Sequence, residues 1–165
     1  MLPALVISEA VGYATTSDPT YTFDDLKDVG LWPAHQYIKK VTSISVWVGA
    51  AKPNGIEITY QLSNTTQPSN EFFVGIFGAI NNDADQPTLK RIGFIVYNKD
   101  TGAVTQQGPF PDPTATTQNI VGFTSLGLIV GFSGTCASNG NLDTVAVYKV
   151  QSGGSTNFGI SNLIL

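Results

Sequence analysis

The chain has 165 residues, which is enough for one domain and short for two. Only 12% of the residues are charged while 42% are apolar, so we expect a compact fold with a surface of Ser, Thr, Asn, Gln and Gly. A formal net charge of -4 gives no basic face for nucleic acid. One Cys and one His exclude a disulfide framework, a multi-thiolate zinc site and most enzyme classes. We therefore predict a protein that is not an enzyme and has no cofactor.

The N-terminal segment, residues 1–7, is apolar but lacks the basic residues and the length of a signal peptide. No stretch approaches the roughly 20 apolar residues that span a bilayer, so no transmembrane segment is predicted. We expect a soluble protein that is cytoplasmic or is secreted without a recognisable signal peptide.

Alternation of apolar and polar residues with a period of two dominates the chain and predicts β-strands. Asn54-Gly55, which tolerates positive φ, is predicted to form the turn of the first hairpin. Three hairpins are predicted, each from two alternating segments around a polar turn: residues 44–48 with 56–62, 92–96 with 103–107, and 128–132 with 142–150.

Helix signals are confined to one turn at residues 23–27, so the chain is predicted to be all-β. We expect one domain over residues 1–165, with a core at about 20–150. An extra strand is predicted in the C-terminal segment 153–165, pairing with residues 4–8 or with another subunit.

Three other groups of chemical interest are predicted to be structural. His35 lies among turn residues, and Cys136 is expected to be a buried, unreactive thiol. The run at residues 81–85 alternates oxygen ligands but lacks the Gly and Glu that an EF-hand loop requires. No metal site is predicted.

The loop of the third hairpin, residues 133–143, is the best candidate for a binding site. Asn139, Gly140, Asn141 and Asp143 lie within five residues. Neutral sugars are recognised by directional hydrogen bonds, which suit backbone N–H groups of a Gly-rich turn and a carboxylate that accepts from two hydroxyls. An ordinary β-turn capped by Asn and Asp fits the same composition equally well.

The strands around this loop resemble those of the jacalin-related lectins, the β-prism I family. Residues 127–134 and 142–148 are similar to the family's pattern G-x-I-V-G-F-x-G followed by L-D-x-I-x-V-Y. Weaker matches in the family's order, at residues 23–25, 44–60 and 89–110, extend the resemblance over roughly residues 20–150. The resemblance implies a β-prism of three antiparallel sheets around a pseudo-threefold axis.

In function, the resemblance implies a metal-independent lectin that binds mannose/glucose-type or galactose-type sugars on glycans and glycoproteins. The family's site joins an N-terminal Gly-rich loop to a G-x-x-x-D loop. Carried over, Asp143 is the motif carboxylate, and Gly140, Asn141 and Leu142 are the intervening positions that offer backbone N–H groups. Because hydrogen bonds to sugar hydroxyls give little net free energy, we expect a homo-oligomer that presents several sites together.

The chain departs from the family pattern in three places. Asn139 stands where the family has Gly, and Gly12 and Tyr13 begin a segment with one Gly where the family has its Gly-rich loop. The span 62–72 is too short for the family's extra hairpin, so one sheet is expected to be shortened or completed by a terminal extension. These departures leave an alternative: a protein-interaction or assembly module, or the recognition part of a toxin or defence protein, with a degenerate sugar site.

Overall fold

The prediction of an all-β chain is confirmed. The computed structural model describes residues 5–12, 21–28, 38–49, 52–62, 70–81, 87–111, 120–138 and 140–150. The elements in these ranges are β1 (Leu5–Ile7), β2 (Val11–Gly12), β3 (Tyr21–Asp24), α1 (Asp25–Asp28), β4 (Ile38–Val48), β5 (Pro53–Leu62), β6 (Glu71–Asn81), β7 (Leu89–Asn98), β8 (Val104–Phe110), β9 (Ile120–Leu126), β10 (Ile129–Cys136) and β11 (Leu142–Val150). None of the helical structure in these ranges is long and apolar enough to cross a membrane.

The described strands form three antiparallel sheets. Sheet A has the order β1-β11-β10-β3, with β2 also paired to β11. Sheet B is the hairpin of β4 and β5, and sheet C has the order β8-β7-β6-β9. In the described part of the chain, sheet B has two strands, which agrees with the expectation from the short span 62–72 that one sheet is shortened. The C-terminal segment 153–165 lies outside the described residues.

All three sheets contribute apolar side chains to one core. Val41 comes from sheet B, Phe94 from sheet C, and Phe132 and Val147 from sheet A, and each is at most 1% exposed. The Phe94 ring lies edge to face with Phe132, at 6.5 Å between ring centroids. Full burial of such side chains contributes about 1.5–3 kcal/mol each, so the core fixes how the sheets lie against one another.

The three predicted hairpins are confirmed, but the predicted turn of the first is wrong. Asn54 and Gly55 lie inside β5, where Gly55 pairs with Trp47. The connection from β4 to β5 is instead bounded by Gly49 and Lys52, and the Gly49 N–H donates to the Lys52 carbonyl oxygen at 3.0 Å. The register is set by the apolar faces of both strands, which must face the core, and this requirement overrides the local preference of Asn-Gly.

The N-terminal edge of sheet A is one strand interrupted in the middle. β1 and β2 both pair with β11, and between them the Ser8 N–H donates to the Val147 carbonyl oxygen at 2.9 Å. The Ser8 hydroxyl oxygen accepts from the Val147 N–H at 3.0 Å, in place of a strand carbonyl. The edge therefore stays attached to β11 as far as Gly12.

Candidate functional site

The described parts of the two segments predicted to form the site, Gly12 and residues 140–143, meet at one end of sheet A. Gly12 lies opposite Thr144 in the pairing of β2 with β11. Its φ is +104°, and a Cβ at this position would overlap the carbonyl oxygen of Asp143. Glycine is required here because an L side chain would be both strained and in collision with the neighbouring backbone. The structure thus brings Gly12 against Asp143.

The loop between β10 and β11 is a tight turn. The Ala137 N–H donates to the Asn141 carbonyl oxygen at 2.8 Å, and the Gly140 N–H donates to the Ala137 carbonyl oxygen at 2.9 Å. Gly140 has a φ of +80° and its α-carbon faces open space. The Gly140 N–H, which the resemblance assigns to sugar binding, is therefore already hydrogen-bonded within the turn. Asn139 and Tyr13 lie outside the described residues.

Leu142 and Asp143, which follow this turn, begin β11. The Leu142 side chain is completely buried in the core, so a role at the site is limited to its backbone. Thr144 pairs with Thr135 and Leu142 with Cys136, which makes Asp143 an extra residue, or β-bulge, on β11. Bulges redirect a side chain away from the regular alternation of a strand.

The Asp143 carboxylate is buried beside a lysine from another sheet. The side chain is 2% exposed, and its Oδ1 lies 3.9 Å from Nζ of Lys52, which is 25% exposed. This separation is longer than a hydrogen bond, so the pair is held by charge attraction. Sequence reasoning missed Lys52, because a turn residue 91 positions away from Asp143 carries no local signal of the contact.

Cys136 lies at the end of β10, close to the same carboxylate. Burial raises the pKa of its thiol, and the negative charge of Asp143 raises it further. A thiol with a raised pKa stays protonated near neutral pH and is a poor nucleophile. The prediction of an unreactive thiol therefore agrees with its surroundings, although the side chain is only partly buried.

Two tyrosine–aspartate contacts attach the end of β3 and the start of α1 to neighbouring strands. The Tyr148 hydroxyl of β11 donates to Asp24 Oδ2 at 2.8 Å, and the Tyr60 hydroxyl of β5 donates to Asp25. Burial acts to raise the pKa of Asp24, but hydrogen bonds from Tyr148 and Lys27 outweigh it and hold that pKa below its usual value. Burial and the Asp24 carboxylate raise the pKa of Tyr148 to about 12. Both contacts are structural attachments, and the shifted pKa values keep Asp24 ionised and Tyr148 protonated near neutral pH.

A cleft of about 480 Å³ lies on the outer face of sheet A, beside the end where Gly12 and Asp143 meet. Its floor consists of small residues of β10 and β11. One wall is the interrupted edge at residues 7–10, and the other is β3 with the start of α1. Its lining is mostly small or hydroxyl-bearing: Ile7, Ser8, Ala10, Thr22, Phe23, Asp24, Lys27, Ser133, Gly134, Thr135, Thr144 and Ala146.

Metal-ligating side chains do not gather anywhere in the described ranges, where no three His, Cys, Asp or Glu lie close enough together to hold an ion. His35 and residues 82–85 of the run 81–85 lie outside those ranges. The chemistry available at the described end of sheet A is therefore that of hydroxyls, amides, backbone groups and the Lys52–Asp143 pair. Such groups bind through hydrogen bonds.

The architecture matches solved lectin structures over nearly the whole chain. A Malaysian banana lectin structure aligns over 90% of this chain and 100% of its own, with a TM-score of 0.57 and 14% identity. The chain has the β-prism I fold of jacalin-related lectins. A single-chain recombinant jacalin aligns over 91% of this chain and 97% of its own, with a TM-score of 0.52 and 15% identity.

A third similar structure is the Calsepa lectin in complex with a bisected glycan. It covers 91% of this chain and 100% of its own, with a TM-score of 0.50 and 16% identity. No protein-family profile matches the chain, and no curated protein sequence matches it. At these identities the likeness establishes the fold.

Proposed function

We propose that the chain is a metal-independent lectin that binds neutral sugars at the end of sheet A. The observation that carries this proposal is the pairing of Gly12 with Thr144. It brings the N-terminal segment against the loop that ends at Asp143, as a site built from these two segments requires. The fold shared with banana lectin, jacalin and the glycan-bound Calsepa lectin supports the same function.

The proposed contacts differ from a simple transfer of the family motif. Because the Gly140 N–H is engaged in the turn, Lys52 is the better donor to a sugar hydroxyl. Asp143 accepts from a second hydroxyl after the Lys52 side chain moves aside, which its 3.9 Å separation and flexible stem allow. A neutral sugar suits this site because the positive charge of Lys52 is already matched by Asp143.

The test compares wild type with Asp143→Asn on a glycan array and by titration calorimetry. We expect the wild type to bind neutral mannose-, glucose- or galactose-type glycans equally well with and without EDTA. Loss of a charge-assisted hydrogen bond should weaken binding by about tenfold or more. Asp100→Asn, in the exposed turn between β7 and β8, is the matched control and should bind normally. Absence of binding to every neutral glycan, or binding unaffected by Asp143→Asn, would contradict the proposal.

The second candidate function is an assembly module with a degenerate sugar site. It is favoured by the low exposure of Asp143 and by two exposed apolar side chains on β1, Val6 at 39% and Ile7 at 52%. Among the described strands, β1 lies at the edge of sheet A, and an edge strand can pair with another strand. Self-association without glycan binding would select this function over the lectin.

A further inference from the structure

The cleft on the outer face of sheet A arises from the size of the residues that line it. Ser133 lies opposite Ala146, and Thr135 lies opposite Thr144, so two neighbouring rows of the sheet carry only small side chains. Larger groups of α1 and of the N-terminal edge rise on either side. The cavity of about 480 Å³ falls within the 300–1,000 Å³ that small-molecule sites usually occupy.

The cleft is continuous with the proposed sugar site. Thr144 forms part of its floor and pairs with Gly12, while Ala10, two residues before Gly12, forms part of its wall. The distance across sheet A from β3 to the N-terminal edge is three strand spacings, or about 14 Å. A ligand held at the end of sheet A can therefore extend onto this face without leaving the protein surface.

The chemistry of the cleft suits an uncharged, polyhydroxylated ligand. Hydroxyls line it on three strands, with Thr22 on β3, Ser133 on β10 and Thr144 on β11. The buried Thr144 hydroxyl shares a hydrogen bond of 2.9 Å with Thr135, so Thr22 and Ser133 are the hydroxyls that we expect a ligand to reach. Its charged residues neutralise each other, since Lys27 Nζ lies 3.2 Å from Asp24 Oδ2. An anion or a cation would gain little from this balanced pair. Donors and acceptors spread over three strands match the hydroxyls of a saccharide.

We propose that this cleft is an extension subsite that holds the second and later residues of a neutral oligosaccharide whose first residue lies at the Gly12–Asp143 end. The inference rests on the proposed lectin function and adds to it that the ligand is an oligosaccharide. Chain length of the glycan then determines affinity, because only longer glycans reach Thr22 and Ser133.

The experiment measures the dissociation constants of paired probes: methyl α-mannoside with mannotriose, and the corresponding glucose and galactose pairs. In wild type we expect the trisaccharide of the preferred series to bind about tenfold or more tightly than the monosaccharide, which corresponds to about 1.4 kcal/mol. Ser133→Leu fills the cleft with a side chain that cannot form hydrogen bonds and should reduce this ratio to about threefold or less. Monosaccharide affinity should stay unchanged.

Two further variants guard against a folding defect. Thr22→Val removes one exposed hydroxyl with little change in volume and should lower the trisaccharide affinity alone. Thr105→Val, on exposed β8 of sheet C, is its matched control and should have no effect. A wild-type ratio of about threefold or less, which three equivalent sugar residues give statistically, overturns the extension subsite. A high ratio of trisaccharide to monosaccharide affinity that both Ser133→Leu and Thr22→Val retain also overturns the extension subsite. If no monosaccharide or oligosaccharide binds, the proposed function itself fails.

Discussion

Gly12 combines a positive φ with a direct backbone contact to Asp143, so the two segments of the proposed site can meet only if position 12 has no side chain. We expect Gly12→Ala to lower the free energy of unfolding by about 2 kcal/mol or more, from backbone strain and from the overlap together. Urea titration measures this change. Gly102→Ala is the control, because Gly102 has a φ of +69° but open space around it. It should lower the same quantity by only about 1 kcal/mol, and equal losses would show that the overlap is unimportant.

Lys52 and Asp143 provide a second test at the scale of single residues. Replacing Lys52 leaves a buried carboxylate without its nearby positive charge, so Lys52→Met should destabilise the fold by about 1–2 kcal/mol at neutral pH. In an Asp143→Asn background the same replacement should have little effect. A double-mutant cycle in urea measures the coupling. Lys99→Met, in the exposed turn after β7, controls for loss of a charge, and a coupling near zero would contradict a stabilising pair.

At the scale of elements, the hydrogen bond from Tyr148 of β11 attaches Asp24, the last residue of β3 directly before α1, to sheet A. This bond helps to hold the pKa of Asp24 below its usual 3.8 in the folded chain. A folded-state pKa that is lowered stabilises the fold above the unfolded-state pKa, and the stabilisation is lost as pH falls through the folded-state pKa. The contribution is therefore fully present at neutral pH.

Tyr148→Phe removes this hydrogen bond and should lower the free energy of unfolding by about 1 kcal/mol at neutral pH. The difference from wild type should shrink as pH falls below 3.8, because protonated Asp24 no longer accepts as a carboxylate. Urea midpoints measured across this pH range test both expectations. Tyr21→Phe, which alters a side chain that is 67% exposed, is the matched control. A deficit that does not depend on pH would assign the effect of Tyr148 to packing alone.

The elements that could be predicted from the sequence are those whose pattern is local. Alternation with a period of two located the hairpins because one face of each strand must be buried. The Asn54-Gly55 turn was wrong because the residues that face the core, which are distant in sequence, decide the register of β4 and β5. The interruption at Ser8 had no signal, since a serine hydroxyl takes the place of a strand carbonyl only after β11 has been brought alongside.

At the scale of the whole molecule, the resemblance to jacalin-related lectins predicted the fold and led to Gly12, while composition alone singled out the loop before Asp143. The resemblance could not identify the side chains that contact each site residue. Lys52 reaches Asp143 from sheet B, and the cleft forms between the N-terminal edge and β3 across sheet A. Both depend on how the sheets and edges come together around the core, which no single segment encodes.

The proposed lectin function also implies that several copies of the chain present their sites together. A single site of hydrogen bonds to hydroxyls binds weakly, so we expect the chain to self-associate and present several sites together. The exposed edge strand β1, with Val6 and Ile7, is the surface that we expect to pair with a second copy. Size-exclusion chromatography with light scattering should therefore give at least a dimer.

Val6→Lys tests this edge, because a lysine on an edge strand opposes strand pairing without entering the cleft. It should convert the oligomer to a monomer and weaken binding to a dense glycan surface by about a hundredfold, while affinity for a free monosaccharide stays the same. Val121→Lys is the matched control, since it places the same charge at a 44% exposed valine on β9, the edge of sheet C. A wild-type monomer, or an oligomer that Val6→Lys leaves intact, would show that copies of the chain do not associate through β1.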